Sequence, residues 1–396
     1  MSEKIPKEWK WVKLGEVADV RDGTHDSPKE AIDGKYLITS KHIKNGKIDF
    51  SKAYKISLDD FEAINKRSKV DKYDILFSMI GTIGEMVIVD FEPDFAIKNV
   101  GLFKTGNKDL SRWIYYYLKS NDAQAEIYAS LKGSTQQYIT LGDLRNFPIL
   151  LPPLPEQKAI VEVLSSIDDK IDLLHRQNKT LEEMAMTLFR QWFIEPTKDG
   201  LPEGWEEVSL GDGDLSKIIP SGIKKFEGFK TYLATGDVES TLIKGGVEIT
   251  YNNRPSRANM QPEKYSVWFA KKEGIRKLLM FDDYSNIDKY ILSTGFTGLK
   301  TTELSHYYVW CFILHEDFQD IKDSLVSGSV QPDIPNEAVS QIFIPRPPDE
   351  VLSSFNKKVK PLFTKIQFNT SQIQTLDKLR DTLLPKLMSG EVRVKF

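Results

Sequence analysis

The sequence predicts two mixed α/β (α+β) globular domains in tandem repeat, joined by two long helices that form an antiparallel coiled coil. Three observations carry this expectation. The chain is written twice, each copy closes on a proline run, and each proline run opens a segment with heptad patterning.

The repeat comes first, because a missed repeat miscalls a whole fold. "IPKEWKWVKLGE" from Ile5 aligns without a gap on "LPEGWEEVSLGD" from Leu201, pairing Trp9 with Trp205, Val12 with Val208, Leu14 with Leu210 and Gly15 with Gly211 at an offset of 196. "YLITS" from Tyr36 meets "YLATG" from Tyr232 at the same offset. "GSTQQYI" from Gly133 meets "GSVQPDI" from Gly328 at 195, and Pro152-Pro153 meets Pro347-Pro348 at 195. The divisions that follow are 1–151 and 197–346 for the globular domains, with 152–196 and 347–396 for the helical segments.

The proline runs "LPPLPEQ" and "IPRPPDE" terminate each globular domain, since a residue before proline is pushed out of the helical region. Pro155 then suits the first helical turn, where its missing N–H costs nothing, and Asp349 suits an N-cap in the second copy. From Ile160 the residues Leu164, Ile167, Ile171, Leu174, Asn178, Leu181, Ala185, Leu188 and Trp192 recur in alternating steps of four and three, a heptad seam with one polar break. The offset of 195 yields a second seam from Phe355 to Leu387 that holds Asn369. Running the helices antiparallel, with paired residue numbers summing to 547, sets Asn178 against Asn369, Ile160 against Leu387 and Trp192 against Phe355. A facing amide pair fixes register at a cost in stability. Ile167 against Arg380 is the one poor match, which Asp168 or Asp169 offsets; Pro361 kinks the second helix or marks a late start. A helix from Pro155 to about Arg190 spans on the order of 50 Å. Apolar residues off the seam, at Val163, Leu173, Met184, Met186, Phe189 and Phe193, point to partner helices or to the chain's own domains.

Within the first domain, "YDILFSMIGTIGEMVIVD" from Tyr73 reads as two strands about a glycine turn, and "SRWIYYYLKSNDAQAEIYASL" from Ser111 as one amphipathic helix. Its counterpart around Tyr307 to Leu325 has no decisive periodicity. Trp9 and Trp205 belong to the core.

Bulk properties exclude several classes. The 396 residues exceed one ordinary core, no apolar run approaches a membrane span, and the first residues form no signal-peptide core. A single cysteine, Cys311, rules out an internal disulfide and a multi-cysteine zinc site, and the expected compartment is the cytoplasm. Net charge is −3, so nucleic acid is not bound by bulk charge. Basic against acidic residues count 23 to 22 over 1–150, 6 to 9 over 151–200, 15 to 21 over 201–345 and 10 to 5 over 346–396, so any DNA-binding face is local. No phosphate loop, Gly-x-Gly-x-x-Gly, Asn/Asp-Pro-Pro-aromatic or His-Glu-x-x-His motif is present, and the five histidines have no metal-ligand spacing.

The paired "W..V.LG" openings, "DGTH..P", "G[ST]..Q..I", "LPPLPEQKAIVEVLSSID.KID" and "LLPKLMSGEV" together resemble the specificity subunit of type I restriction-modification enzymes. The resemblance covers essentially the whole chain; the second copy departs from it with "IPRPPDE" and a proline-interrupted helix. It implies two target-recognition domains that each read one half of a bipartite site on double-stranded DNA, with a helical spacer between them. It also implies methyltransferase subunits docking on that spacer, restriction/translocase subunits in the full complex, and no catalysis, cofactor, metal or membrane for this chain. The alternative from another class is a two-headed protein-binding scaffold without DNA specificity.

Base reading needs donors, acceptors and nearby cations on loops. The first domain offers Arg21, Thr24 and His25 in "RDGTHDSPK", Ser40, Lys41, His42 and Lys44 in "TSKHIKNGK", and Gln136 and Gln137 in "GSTQQY", whose amides match adenine. The second offers Lys224 and Lys225 in "PSGIKKF", and Asn253, Arg254, Ser256 and Arg257 in "YNNRPSRANMQ", a set suited to guanine and adenine edges; Gln331 and Phe296 are lesser candidates. The net −6 of this domain requires its acids to lie on other faces.

Overall fold

The computed structural model describes residues 5–326 and 333–395. The chain folds as two compact units, Met1–Asp172 with Ile373–Phe396, and Leu173–Gln372.

In the first unit the opening strand Lys10–Lys13 pairs antiparallel with Pro148–Leu151, so the chain's start is tied to the strand that runs into the prolines. An antiparallel sheet follows in the order Asp19–Asp22, Val100–Lys104, Ile75–Ser78, Met86–Ile88. Ile75, Leu76 and Phe77 are all buried because this sheet is covered on both faces. Ile75 and Phe77 face the core that holds Trp9, Trp113 and Leu164, while Leu76 faces a second core with Ile38, Ile97 and Leu102. A smaller sheet sets Lys35–Thr39 between Lys55–Ile56 and Phe95–Lys98, and its pairing with Phe95–Lys98 is parallel.

The second unit repeats this plan. Glu206–Ser209 pairs with Phe343–Arg346, and the antiparallel sheet runs Ser216–Ile218, Phe296–Thr301, Ser266–Ala270, Leu278–Phe281. Lys230–Leu233 lies parallel to Tyr290–Ser293 in a sheet closed by Val247–Ile249 and Ala258–Met260.

The segment expected as one helix from Ser111 is two, Lys108–Lys119 and Asn121–Ala129. Ser120 separates them: extended at ψ 149°, it donates from Oγ to the Tyr117 carbonyl and caps the second helix by accepting from the Ala123 N–H. The counterpart divides likewise into His306–Leu314 and Glu316–Ser324. All nine residues of His306–Leu314 are buried, and a helix covered all round leaves no amphipathic period to read.

The long helices are Leu154–Phe189 and Asp349–Ser389, and each contributes one half to each unit. In the first unit Ile160 and Leu164 share a core with Leu384 and Leu387, and Arg380 donates to Asp168 at 3.1 Å, the compensation the seam required. Glu156, fully buried, accepts from Trp9 Nε1 at 2.9 Å and from Arg393 Nη2 at 2.8 Å, which clasps the final segment to the first helix. In the second unit Asn369 Nδ2 donates to Asn178 Oδ1 at 2.9 Å, and Trp192 meets Phe355 with ring centroids 6.1 Å apart. The order of these pairs makes the helix segments antiparallel in both units. A single π-turn, Arg190–Ile194, ends the first helix and aims Phe189 and Phe193 into the second unit's core. The second helix begins at Asp349 and continues through Pro361, so the late start expected there does not occur. Pro361 is exposed, and the turns on both sides are held by buried Phe355, Val359 and Phe363. Trp9 is core, whereas Trp205 is half-buried against Phe193.

Candidate nucleic-acid interface

A parallel strand pair delivers both carboxyl ends to one edge, and the loops leaving that edge form a natural ligand surface. In the first unit Thr39 lies opposite Lys98. The turn Ser40–His42 leaves the first strand, and Asn99 leaves the second in a left-handed conformation, φ 52°. Ser40 Oγ donates to the Asn99 carbonyl at 3.1 Å. Gly23 and Thr24 lie across the end of Phe95–Lys98; a Cβ on Gly23 would stand 2.4 Å from the Ile97 carbonyl oxygen, so only glycine permits this approach. His25 is thereby exposed at the edge, with Nδ1 2.8 Å from Asn99 Oδ1 and Nε2 2.9 Å from Asp22 Oδ2. The hairpin Ile43–Ile48 follows, its Asn45 N–H donating to Glu85 at 3.0 Å. Beyond Glu85, Ile80 bridges to Tyr138, and reciprocal backbone bonds of 2.9 Å between Lys132 and Tyr138 pinch out an exposed loop carrying Gln136 and Gln137.

Thus Thr24, His25 and Ser40 meet at the Lys98–Asn99 edge, and Lys41, Lys44, Gln136 and Gln137 are exposed on the loops that follow. Two candidates are corrected. His42 is 1% exposed; its Nδ1 accepts from the Thr39 N–H at 3.0 Å to close the turn, and burial lowers its pKa. Arg21 is spent within the protein, donating to Asp19 at 2.8 Å and to the Arg67 carbonyl at 2.9 Å, and the Asp19 carboxylate raises its pKa.

In the second unit the corresponding edge is made by Thr235–Asp237 after Lys230–Leu233 and by Thr294-Gly295 after Tyr290–Ser293. Arg257 arrives from the polar loop, its carbonyl accepting from the Thr294 N–H at 2.9 Å. Its exposed guanidinium lies over Gly295, where an added Cβ would be 3.2 Å from Arg257 Nη2 and 3.1 Å from Thr235 Cγ2. Ser256 beside it is exposed, as are Lys224 and Lys225 on a loop joined to this sheet through Gly222 and Asn259. Arg254 is corrected: its guanidinium stacks 4.1 Å over Tyr251 and bonds that residue's carbonyl, so it builds the loop. Asn253 likewise spends Oδ1 on the Thr250 N–H at 2.6 Å, leaving its amide N–H groups. Phe296 is fully buried and is core. Gln331 lies outside the described residues.

Sequence reasoning missed the loop "KKEGIRK", residues 271–277, whose four cations in seven residues about a glycine were its available signal. Lys277 Nζ donates to the Thr235 carbonyl at 2.6 Å, and the Lys271 N–H to the Gly295 carbonyl at 2.9 Å, so this loop abuts the same edge. The loop therefore adds the Lys277 ammonium to the edge where Arg257 stands, while Lys271 and Arg276 bond Asn336 and the Leu314 carbonyl. Among the described residues no group of His, Cys, Asp and Glu is arranged to hold a metal, and no helix is long and apolar enough to cross a membrane.

Residues 6–183 match the family described as the type I restriction modification DNA specificity domain. The chain is 27% identical to the type I restriction enzyme MjaIX specificity subunit of Methanocaldococcus jannaschii over 99% of its own length and 95% of that protein. It is 23% identical to the HindI specificity subunit of Haemophilus influenzae over 82% of this chain and 88% of that one. Its fold matches the crystal structure of a type I restriction-modification S subunit from M. genitalium with a TM-score of 0.60 at 18% identity, covering 98% of this chain and 97% of that chain. The strand plan used twice and the paired helices agree with these likenesses: over nearly its whole length the chain is similar to type I restriction-modification specificity subunits.

Proposed function

We propose that this chain is the DNA sequence-recognition subunit of a type I restriction-modification complex, in which each unit reads one half of a bipartite site and the helical spacer sets the unread interval. It is non-catalytic; methylation and cleavage belong to methyltransferase and restriction subunits, with which it partners on double-stranded DNA. One observation carries the reading. The same strand plan presents the same edge twice, but with unlike side chains: His25, Ser40, Lys41 and the two glutamines in one unit, Thr235, Ser256, Arg257 and a basic loop in the other. Unlike contacts imply unlike half-sites. In this reading the three boundaries at 151, 196 and 346 separate two recognition domains from two spacer helices, and the Asn178–Asn369 contact sets the spacer's register. The place of action is the cytoplasm, where the host DNA lies.

The spacer also carries the support for methyltransferase docking. Leu173 and Met184 are exposed on the first helix, and Phe368 and Leu379 on the second, each pair related by the repeat offset of 195. Members of a pair are eleven residues apart, which returns them to one helix face. Each helix thus bears one copy of an apolar patch, suited to equivalent sites on partner subunits.

The test is to sequence modified bases in the host genome with and without this chain. A bipartite motif that disappears with the chain, and whose first half alone changes when residues 1–151 are exchanged for a relative's, is the expected result. Modification independent of the chain would end the reading.

A further inference from the structure

The loop 271–277 is built as a rigid part, not left as a surface connection. Lys322 lies beneath it with 1% of its surface exposed. Its ammonium donates to the carbonyls of Lys272 at 2.9 Å, Ile275 at 3.2 Å and Ala270 at 3.5 Å, and pairs with Asp323 at 3.1 Å. An ammonium has three protons, so a single buried cation collects the loop's inward-facing carbonyls. Asp323 completes the cradle by accepting from the Gly274 N–H at 3.2 Å, and Gly274 turns the chain at φ 66°.

The loop's own cations divide into two kinds. Lys271 donates to Asn336 Oδ1 at 3.1 Å, Arg276 to the Leu314 carbonyl at 2.8 Å, and Lys277 to the Thr235 carbonyl at 2.6 Å. Each of these bonds is to a neutral acceptor, with Asp333 and Glu337 near Lys271 and Glu182 near Arg276. Lys272 differs: it is exposed and has no side-chain partner among the described residues. Against these four charges the loop carries one acid, Glu273. The corresponding loop of the first unit, "MIGTIGE" from Met79, has no cation at all. Two homologous turns at homologous edges thus have opposite electrostatic character.

We propose that loop 271–277 is the phosphate grip of the second recognition unit, with Lys272 contacting the DNA backbone and Lys322 as the positioning residue that holds the loop's shape. This deepens the recognition reading and rests on it. A duplex backbone fits the chemistry because fixed positive charge displayed beside a base-reading edge contacts phosphates of any sequence, giving register and affinity without base preference. The two halves of the site then differ in kind, the second being held more by charge than the first.

The experiment uses the complex reconstituted with its methyltransferase subunits, and measures affinity against salt for duplexes carrying the genomic motif and for duplexes altered at single bases. Lys272→Gln is expected to reduce the slope of log affinity against log salt by about 0.9, the value for one phosphate contact. It should weaken all duplexes by the same factor, and Lys272→Arg should keep the slope. Lys322→Met should lower the slope at least as far, with Lys272→Gln adding little on top of it. An unchanged slope in Lys272→Gln, or a loss confined to one base identity, would overturn the grip while leaving recognition intact. A wild-type complex that binds motif and altered duplexes alike would overturn recognition itself, and the grip with it.

Discussion

Asn369 donates from its side-chain amide to the side-chain oxygen of Asn178 at 2.9 Å while itself fully buried, with its own Oδ1 left without a partner. A half-satisfied amide in an apolar seam is a cost, and its benefit is register, because any slip separates the pair.

Asn178→Leu alone should therefore destabilise the chain by about 1–3 kcal/mol, since it strands the buried amide of Asn369. Leucine at both positions should restore or exceed the original stability in denaturant unfolding. A double variant as unstable as the single one would show that the amides do more than specify alignment.

Arg380 occupies a seam position and is tolerated because three carboxylates pair with it, Asp168 and Asp381 at 3.1 Å and Asp377 at 3.0 Å, while Asp168 also accepts from Tyr116 Oη at 2.8 Å. Removing Asp168 takes the acceptor from Tyr116 Oη and leaves Arg380 to Asp377 and Asp381. Asp168→Ala should cost about 1–3 kcal/mol in the same measurement. Arg380→Leu should cost less, since it lengthens the apolar seam.

His306 is buried beside Thr301, with Nδ1 2.8 Å from Thr301 Oγ1, and burial pushes its pKa down to about 4. Its unfolded value near 6.5 is higher, so the unfolded chain binds the extra proton first as pH falls. The stability from keeping this ring neutral is fully present above pH 6.5 and is lost as pH drops from there to about 4. The loss is on the order of 3 kcal/mol. Unfolding free energies of wild type and His306→Gln, measured from pH 7 to pH 4, should converge toward the acid end.

Arg257 displays a guanidinium free to form a bidentate contact with guanine. Arg257→Gln in the reconstituted complex should relax one position of the second half-site, at about 1–3 kcal/mol of discrimination, and leave the first half unchanged. Gln136→Ala with Gln137→Ala should do the converse. Methylation of a duplex library randomised at each position reads both. Loss at every position together would assign these residues to assembly instead.

The repeat, the proline stops, the helix seams and their antiparallel register were all legible from the residues alone. They are local or periodic properties: a heptad of apolar side chains has one way to be buried, and two asparagines have one alignment in which each finds the other. The division of Lys108–Ala129 at Ser120 was not legible, because a serine that bonds its own backbone competes with the helix only once its neighbours are packed. The helix His306–Leu314 was hidden for the opposite reason, burial on every side.

Composition nominated the loops of the candidate interface, and only tertiary structure sorted them. Lys41, Ser256 and Arg257 stand at the surface, whereas His42, Arg21 and Arg254, polar residues of the same candidate loops, are consumed by internal bonds to Thr39, Asp19 and Tyr251. The loop at 271–277 acquires its meaning from Lys322, some fifty residues later, and from a parallel strand pair that brings Thr235 and Gly295 to one edge. Sequence determines which groups a segment can offer. Whether a polar group is offered outward or spent inward depends on partners distant in the chain, and that is decided when the chain folds.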